Sequence, residues 1–238
     1  MEDTVDYLAV VAVAFAPGVF WLWYFYSRDS FEPEPKKLIA RTFGLGVLLG
    51  VPATILELFF AHSLLLSALV APVIEEGLKY AGVRLTVYRS AEFDEPMDGI
   101  IYAAAIALGF ASIENGFYLL ATYLRALDAQ QPLQVMSPLG AVASVFTIRA
   151  LISVPSHVLF SAMWGAALGR AKFSSAGRPH TLVRGALLLA ILCHGLFNLS
   201  ASWLPEGALG VLLVVAVLWR LLRRRIREAL SASPYHRS

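Results

Sequence analysis

The stretch "ALVAPVIEEGLKYAGV", residues 68–83, sets Glu75, Glu76 and Lys79 inside a run that is otherwise apolar. A helix needs roughly 20 mostly apolar residues to cross a bilayer, and Leu64–Leu85 supplies such a segment with the three charges near its middle. A charge at that depth costs at least a few kcal/mol, so it must face the interior of a bundle, and it is functional by default. On a helix Lys79 lies four residues from Glu75 and three from Glu76, so its ammonium reaches both carboxylates. The two glutamates point about 100° apart, so only one aims squarely at a shared cavity. An internal salt bridge alone would need one carboxylate, not two. This segment therefore reads as the working helix of an all-α, polytopic membrane bundle.

Working outward, the composition agrees. The chain has 238 residues, of which 58% are hydrophobic and only 15% charged. A soluble domain carries about 25% charged residues, and the mean hydropathy here is +0.67. Candidate spans are Tyr7–Tyr26, Leu38–Phe60, Leu64–Leu85, Gly99–Leu124, Leu139–Gly169, Leu182–Trp203 and Ala208–Leu222. The fifth is too long for one straight span, and Pro155 is expected to divide it near Arg149 into a pre-helix and a spanning helix. The acidic start "MEDTVDY" lacks the basic flank of a secretory signal, so the first run reads as a retained anchor. With the N-terminus outside, four links or tails on the cytoplasmic side collect the basic residues: Arg28, Lys36, Lys37 and Arg41; Arg84 and Arg89; Arg170, Lys172, Arg178 and Arg184; and "RLLRRRIREAL". The outer links hold one, Arg125. That bias is the positive-inside pattern. About seven transmembrane helices follow, in one membrane-embedded domain over residues 1–222, with a basic cytoplasmic tail at 223–238. The tail is read as a lipid contact and not as a nucleic-acid surface. The single Cys193 excludes an intramolecular disulfide.

Few other ionisable residues lie within the spans. Glu114 follows a stripe of small residues, Gly99, Ala103, Ala107 and Ala111, that lets a neighbouring helix approach closely, and Asn115 is beside it. The fifth span carries His157 with Ser161 one turn on, and the sixth His194 with Asn198 one turn on. Glu57 lies near the outer end of its span and reads as an interfacial residue, and Asp98 is placed to cap the fourth span. Two chemistries fit glutamates and histidines gathered in a dry bundle. A carboxylate can take a proton from water while imidazoles and an amide hold the developing oxyanion. Alternatively Glu75 or Glu76, Glu114, His157 and His194 could supply the ligands of a divalent metal such as Zn²⁺, which would acidify the water. The chain contains neither HExxH nor GxSxG, the short signatures of zinc proteases and of serine hydrolases. A proton-coupled transporter and a non-catalytic membrane scaffold or immunity protein are the competing readings.

These residues fall into four motifs in order. They are "EEGLK" (Glu75, Glu76, Lys79), "FASIE" (Phe110 to Glu114), "RALISVPSH" (Arg149, Pro155, His157) and "HGLFN" (His194, Asn198). On them the chain resembles the PrsW intramembrane proteases, relatives of the group that includes CAAX prenyl proteases and bacterial Abi proteins. The resemblance covers about residues 38–202. It implies an endopeptidase of the cell membrane, multi-pass, that cuts other membrane proteins. Its partner would be a single-pass substrate, an anti-sigma factor receiving its first cut. The family is commonly labelled metalloprotease, while the CAAX relatives resemble metal-free glutamate hydrolases. The roles expected are Glu75 or Glu76 as base, with Lys79 setting its ionisation. Glu114 would position water, and His157 and His194 would polarise the carbonyl or bind metal. Asn198 and Arg149 are expected in support.

Overall fold

The computed structural model describes residues 2–128, 137–173, 179–203 and 205–237. Eight α-helices follow in order: α1 (Glu2–Tyr26), α2 (Lys36–Leu58), α3 (Leu64–Leu85), α4 (Asp98–Asp128), α5 (Pro138–Ile148), α6 (Val154–Phe173), α7 (Pro179–Ser202) and α8 (Ala208–Ser231). A π-helical stretch, Arg149–Ser153, joins α5 to α6, and a short 3₁₀ turn, Pro234–Arg237, closes the chain. No strand occurs among the described residues. The link expected between the fourth and fifth spans falls mostly on 129–136, and Arg178 on 174–178, outside the described residues.

Five segments are long and apolar enough to cross a membrane: Ala9–Tyr26, Lys36–Leu58, Asp98–Asp128, Pro138–Phe173 and His180–Ser202. Two of the seven expected spans, α3 and α8, fall outside that set. Their lengths, 22 and 24 residues, are ample. What separates them is charge. α3 holds Glu75, Glu76, Lys79 and Arg84, and the second half of α8 is basic. The basic stretch does not begin a new element, because α8 runs unbroken to Ser231.

Local chemistry explains the boundaries. Ser63 caps α3 by accepting from the Leu66 N–H at 3.4 Å. Ser137 caps α5 through Gly140, with Pro138 in the first turn where its missing N–H is harmless. Asp98 differs from expectation: it opens α4, and its carboxylate turns back to accept from the Asp94 and Glu95 N–H groups at 2.6 and 2.7 Å. Pro155 does not break the chain's helical course. The Val154 N–H reaches back five residues to Arg149, and Pro155 cannot make the next bond of that register, to Ala150. The freed Ala150 carbonyl accepts instead from Trp21 Nε1 on α1 at 2.9 Å. The proline is absorbed by a π-turn and an indole.

α4 is the axis of the bundle. Its apolar segment is 83% buried, against 28% or less for the other four, and it packs on α1, α2, α3, α5 and α6. The small-residue stripe makes the α4–α6 approach possible. A side chain at Gly99 would collide with the Gly165 carbonyl, and one at Gly169 with that of Pro96. Gly109 lies as closely against the Phe43 carbonyl of α2. Backbones this near leave no room for a Cβ. α7 packs on α3 and α6, and α8 covers α6 and α7.

Candidate active site

α3, α6 and α7 bring five of the expected residues into one buried cluster, with Glu114 of α4 beside it. Glu75, Glu76, Lys79, His157 and His194 are each 5% exposed or less. Lys79 is its hub. Its ammonium donates to Glu75 Oε2 at 2.8 Å and to Glu76 Oε1 at 3.0 Å, and lies 3.0 Å from His157 Nδ1. Three donors meet three acceptors, and the Phe110 ring lies beneath at 4.3 Å. Because Lys79 has only protons to offer, His157 Nδ1 must accept, and the imidazole carries its proton on Nε2. That Nε2 is 3.0 Å from Glu114 Oε2, an ion-pair distance whose N–H direction misses the oxygen.

The two adjacent glutamates are held very differently. Glu76 receives four donors: Lys79 and His194 Nδ1 on Oε1, the latter at 3.3 Å, and on Oε2 Ser161 Oγ at 2.7 Å and Trp164 Nε1 at 3.0 Å. Glu75 is bonded through Oε2 alone. Its Oε1 faces His194 Nε2 at 3.8 Å. Since the Glu76 carboxylate can only accept, His194 is protonated on Nδ1, and in the neutral imidazole Nε2 presents a lone pair. Two acceptors therefore confront each other across 3.8 Å.

α7 approaches this closely because Pro72 removes an N–H from α3, leaving the Ala68 carbonyl without its helical partner. Gly195, next to His194, lies against that carbonyl, where a Cβ would stand 3.1 Å away. Phe160 stacks on the His194 ring with centroids 4.4 Å apart and fixes its plane. Arg149 reaches from the π-turn to Glu114 Oε1 at 3.1 Å and to Asn115 Oδ1 at 2.9 Å, and its guanidinium lies 4.0 Å over the Tyr118 ring. Asn115 in turn donates to the Ala14 carbonyl of α1 at 2.9 Å.

Asn198 stands one turn along α7 from His194, part-buried, and its amide has no hydrogen bond to the cluster among the described residues. Glu57, expected at the interface, stands near the C-terminal end of α2. It is half-buried, no protein donor reaches its Oε1, and it lies within electrostatic range of Glu75, Glu114 and Lys79. Trp164 was missed, although it follows Ser161 by three residues and His157 by seven, a helical same-face spacing. A cleft of about 730 Å³ between α6, α7 and α8 shares no lining residue with the cluster.

A family model described as PrsW family intramembrane metalloprotease matches residues 34–222. The protease PrsW of Geobacillus kaustophilus is 33% identical over 227 residues, covering 93% of this chain and 92% of that protein. The protease PrsW of Bacillus subtilis is 30% identical over 231 residues, covering 94% and 97%, and that of Clostridioides difficile 29% over 237, covering 95% and 91%. No solved structure matches the chain. The family match decides for a protease against the transporter and scaffold readings, and for a multi-pass protein of the membrane. The chain belongs to the PrsW family of intramembrane proteases.

Proposed function

We propose that the cluster activates a water molecule against a peptide bond of a membrane-embedded substrate, with Glu75 as general base. One observation carries this reading: Glu75 Oε1 and His194 Nε2, an acceptor in the neutral ring, face each other at 3.8 Å with no donor to either among the described residues. A water donating to that pair is held and polarised at once. Glu75 takes its proton as the oxygen bonds to the carbonyl carbon. That proton then passes to the leaving nitrogen as the C–N bond breaks, giving a carboxylic acid and an amine. Lys79 bonds both Glu75 and Glu76, and Glu76 holds Lys79 and His194 in place. His157 Nε2–H, poorly aligned on Glu114, and the uncommitted Asn198 amide are the groups free to meet the developing oxyanion. Glu114, clamped by Arg149, steadies His157.

Glu75, His157 and His194 also place ligand atoms within 4.8 Å of one another, and one carboxylate with two imidazoles is a donor set that suits zinc. These residues would hold such an ion, and it would supply a more acidic bound water. The Lys79 charge between Glu75 and His157 favours the metal-free reading. The substrate proposed is a single-pass membrane protein, with an anti-sigma factor the first candidate implied by the motif resemblance.

The test is cleavage of a single-pass substrate by purified protein in bilayers, with Glu75→Gln and with chelator. The variant is expected to lose at least about a hundredfold in rate, the scale of general-base catalysis. Full cleavage by that variant ends the proposal. Activity that survives the chelator assigns the water to the glutamate alone, while loss restored by zinc assigns it to the metal.

A further inference from the structure

A second acidic cluster lies at the end of the bundle where α1 gives way to α2 and α3 to α4. Asp29 and Glu34 come from the first link, Glu95 from the second, and Asp98 opens α4; all four are 4% exposed or less. Asp98 is 16 residues along α4 from Glu114, about 24 Å of helix, and none of the four belongs to the candidate active site. We infer that Asp29, Glu95 and Asp98, with Glu34 beside them, form a binding site for a hard divalent cation of the Ca²⁺ or Mg²⁺ class.

The first support is orphaned oxygen. No protein donor reaches either carboxylate oxygen of Asp29 or of Glu95, nor Oε1 of Glu34 or Oδ1 of Asp98. Glu95 is completely buried. An uncompensated buried carboxylate is among the most costly arrangements a fold can contain. The second support is convergence: one oxygen each from Asp29, Glu95 and Asp98 lie within 4.8 Å of one another, the spread of oxygens about 2.4 Å from a shared calcium ion. The remaining valences are directed elsewhere. Asp98 Oδ2 accepts from two backbone N–H groups, and Glu34 Oε2 from the Tyr102 hydroxyl.

Among the described residues no cation forms an ion pair with the group. Lys172 is near, but its ammonium donates to the Tyr88 carbonyl at 3.0 Å and the Phe93 carbonyl at 2.5 Å. Arg28 lies over the Tyr24 ring at 4.4 Å. Without a cation, burial and mutual repulsion oppose ionisation of the cluster. Burial, and then the charge of the facing Glu95, push Asp29 up to about 8. Burial pushes Glu34 up to about 9, against the pull of the Tyr102 hydroxyl. Oxygen ligands without nitrogen or sulfur select a hard ion over zinc, which separates this cluster chemically from Glu75, His157 and His194.

The experiment is thermal unfolding of the full chain in detergent, stripped with EDTA and titrated with CaCl₂ and, separately, MgCl₂. The site predicts a saturable rise in the unfolding midpoint of about 5–10 °C at a hundredfold excess over Kd for at least one ion. The double variant Asp29→Asn, Glu95→Gln relieves the repulsion, so in EDTA it is expected to unfold no lower than wild type and to ignore both ions. Glu75→Gln is expected to keep the response, which assigns it to this end of the bundle. Three outcomes would each overturn the inference: no ion-dependent shift in wild type, an equal shift in the double variant, or its loss in Glu75→Gln.

Discussion

At the scale of the residue, the division of labour between Glu75 and Glu76 turns on which donors each oxygen meets. Spacing alone shows that Lys79 reaches both and that they point about 100° apart. It cannot show that Ser161 and Trp164 of α6 close around Glu76 while Glu75 keeps one oxygen unbonded. Amide replacement separates the roles. In Glu76→Gln the new NH₂ faces two donors whichever way the amide turns, Lys79 with His194 or Ser161 with Trp164. In Glu75→Gln the carbonyl can stay on Lys79 while the NH₂ takes the unbonded side, facing the His194 lone pair. Glu76→Gln is therefore expected to destabilise by about 3 kcal/mol or more, roughly 6 °C or more in unfolding midpoint for a chain of this size. Glu75→Gln is expected to unfold near wild type. Equal midpoints for the two variants would contradict the assignment of Glu76 as the positioning glutamate. The motif residues were legible because each sits in an apolar run where a charge is anomalous. Trp164 was not, since an indole in an apolar helix announces nothing until a carboxylate is found against it.

At the scale of the element, the site depends on how near α6 and α7 come to α3 and α4. The stripe Gly99–Ala103–Ala107–Ala111 was readable as a close-packing face, but its partner was not. Gly165 lies in a sequence with no charge or break to mark it, and only the contact shows that Gly99 and Gly165 share one space. Gly165→Ala forces the α4 and α6 backbones apart, at about 1–3 kcal/mol for overpacking. It also shifts His157, two turns away on α6, relative to Glu114. Cleavage is expected to fall together with the unfolding midpoint. Gly185→Ala on α7, where a Cβ meets nothing within 4 Å, is expected to stabilise by up to about 1 kcal/mol through helix propensity and to leave cleavage alone. If both alanines behave alike, glycine is serving helix flexibility rather than close approach. The proline at 155 teaches the same lesson from the other side. Its missing N–H was legible, but the response was not, because the compensating donor, Trp21, comes from 134 residues away on α1.

At the scale of the whole molecule, sidedness rests on charge and on parity. Contacts gather one set of termini together: Tyr235 donates to Asp94 at 2.6 Å, His236 meets Phe31, and Trp219 stacks on Tyr24. The ends of α1, α3, α6 and α8 thus share one face of the bundle with the buried carboxylates of the two links. Those carboxylates escaped sequence reading because acidic residues in polar links look solvated until topology brings residues 29 and 95 together. We propose that this face is cytoplasmic, as the excess of Lys and Arg on it implies. The proposal requires an odd number of crossings between His62, in the α2–α3 link, and Arg227, in the basic half of α8. Both α3 and α8 crossing, or neither, gives that parity, so it tests whether just one of these two charged helices fails to cross. In a Cys193→Ala background, His62→Cys is expected to react with an impermeant maleimide on intact cells, and Arg227→Cys only after permeabilisation. Reversed labelling would invert the orientation and keep the bundle. Labelling of both from one side would mean that one of the charged helices turns back within the bilayer, and the carboxylates of α3 would then be reached from a different face.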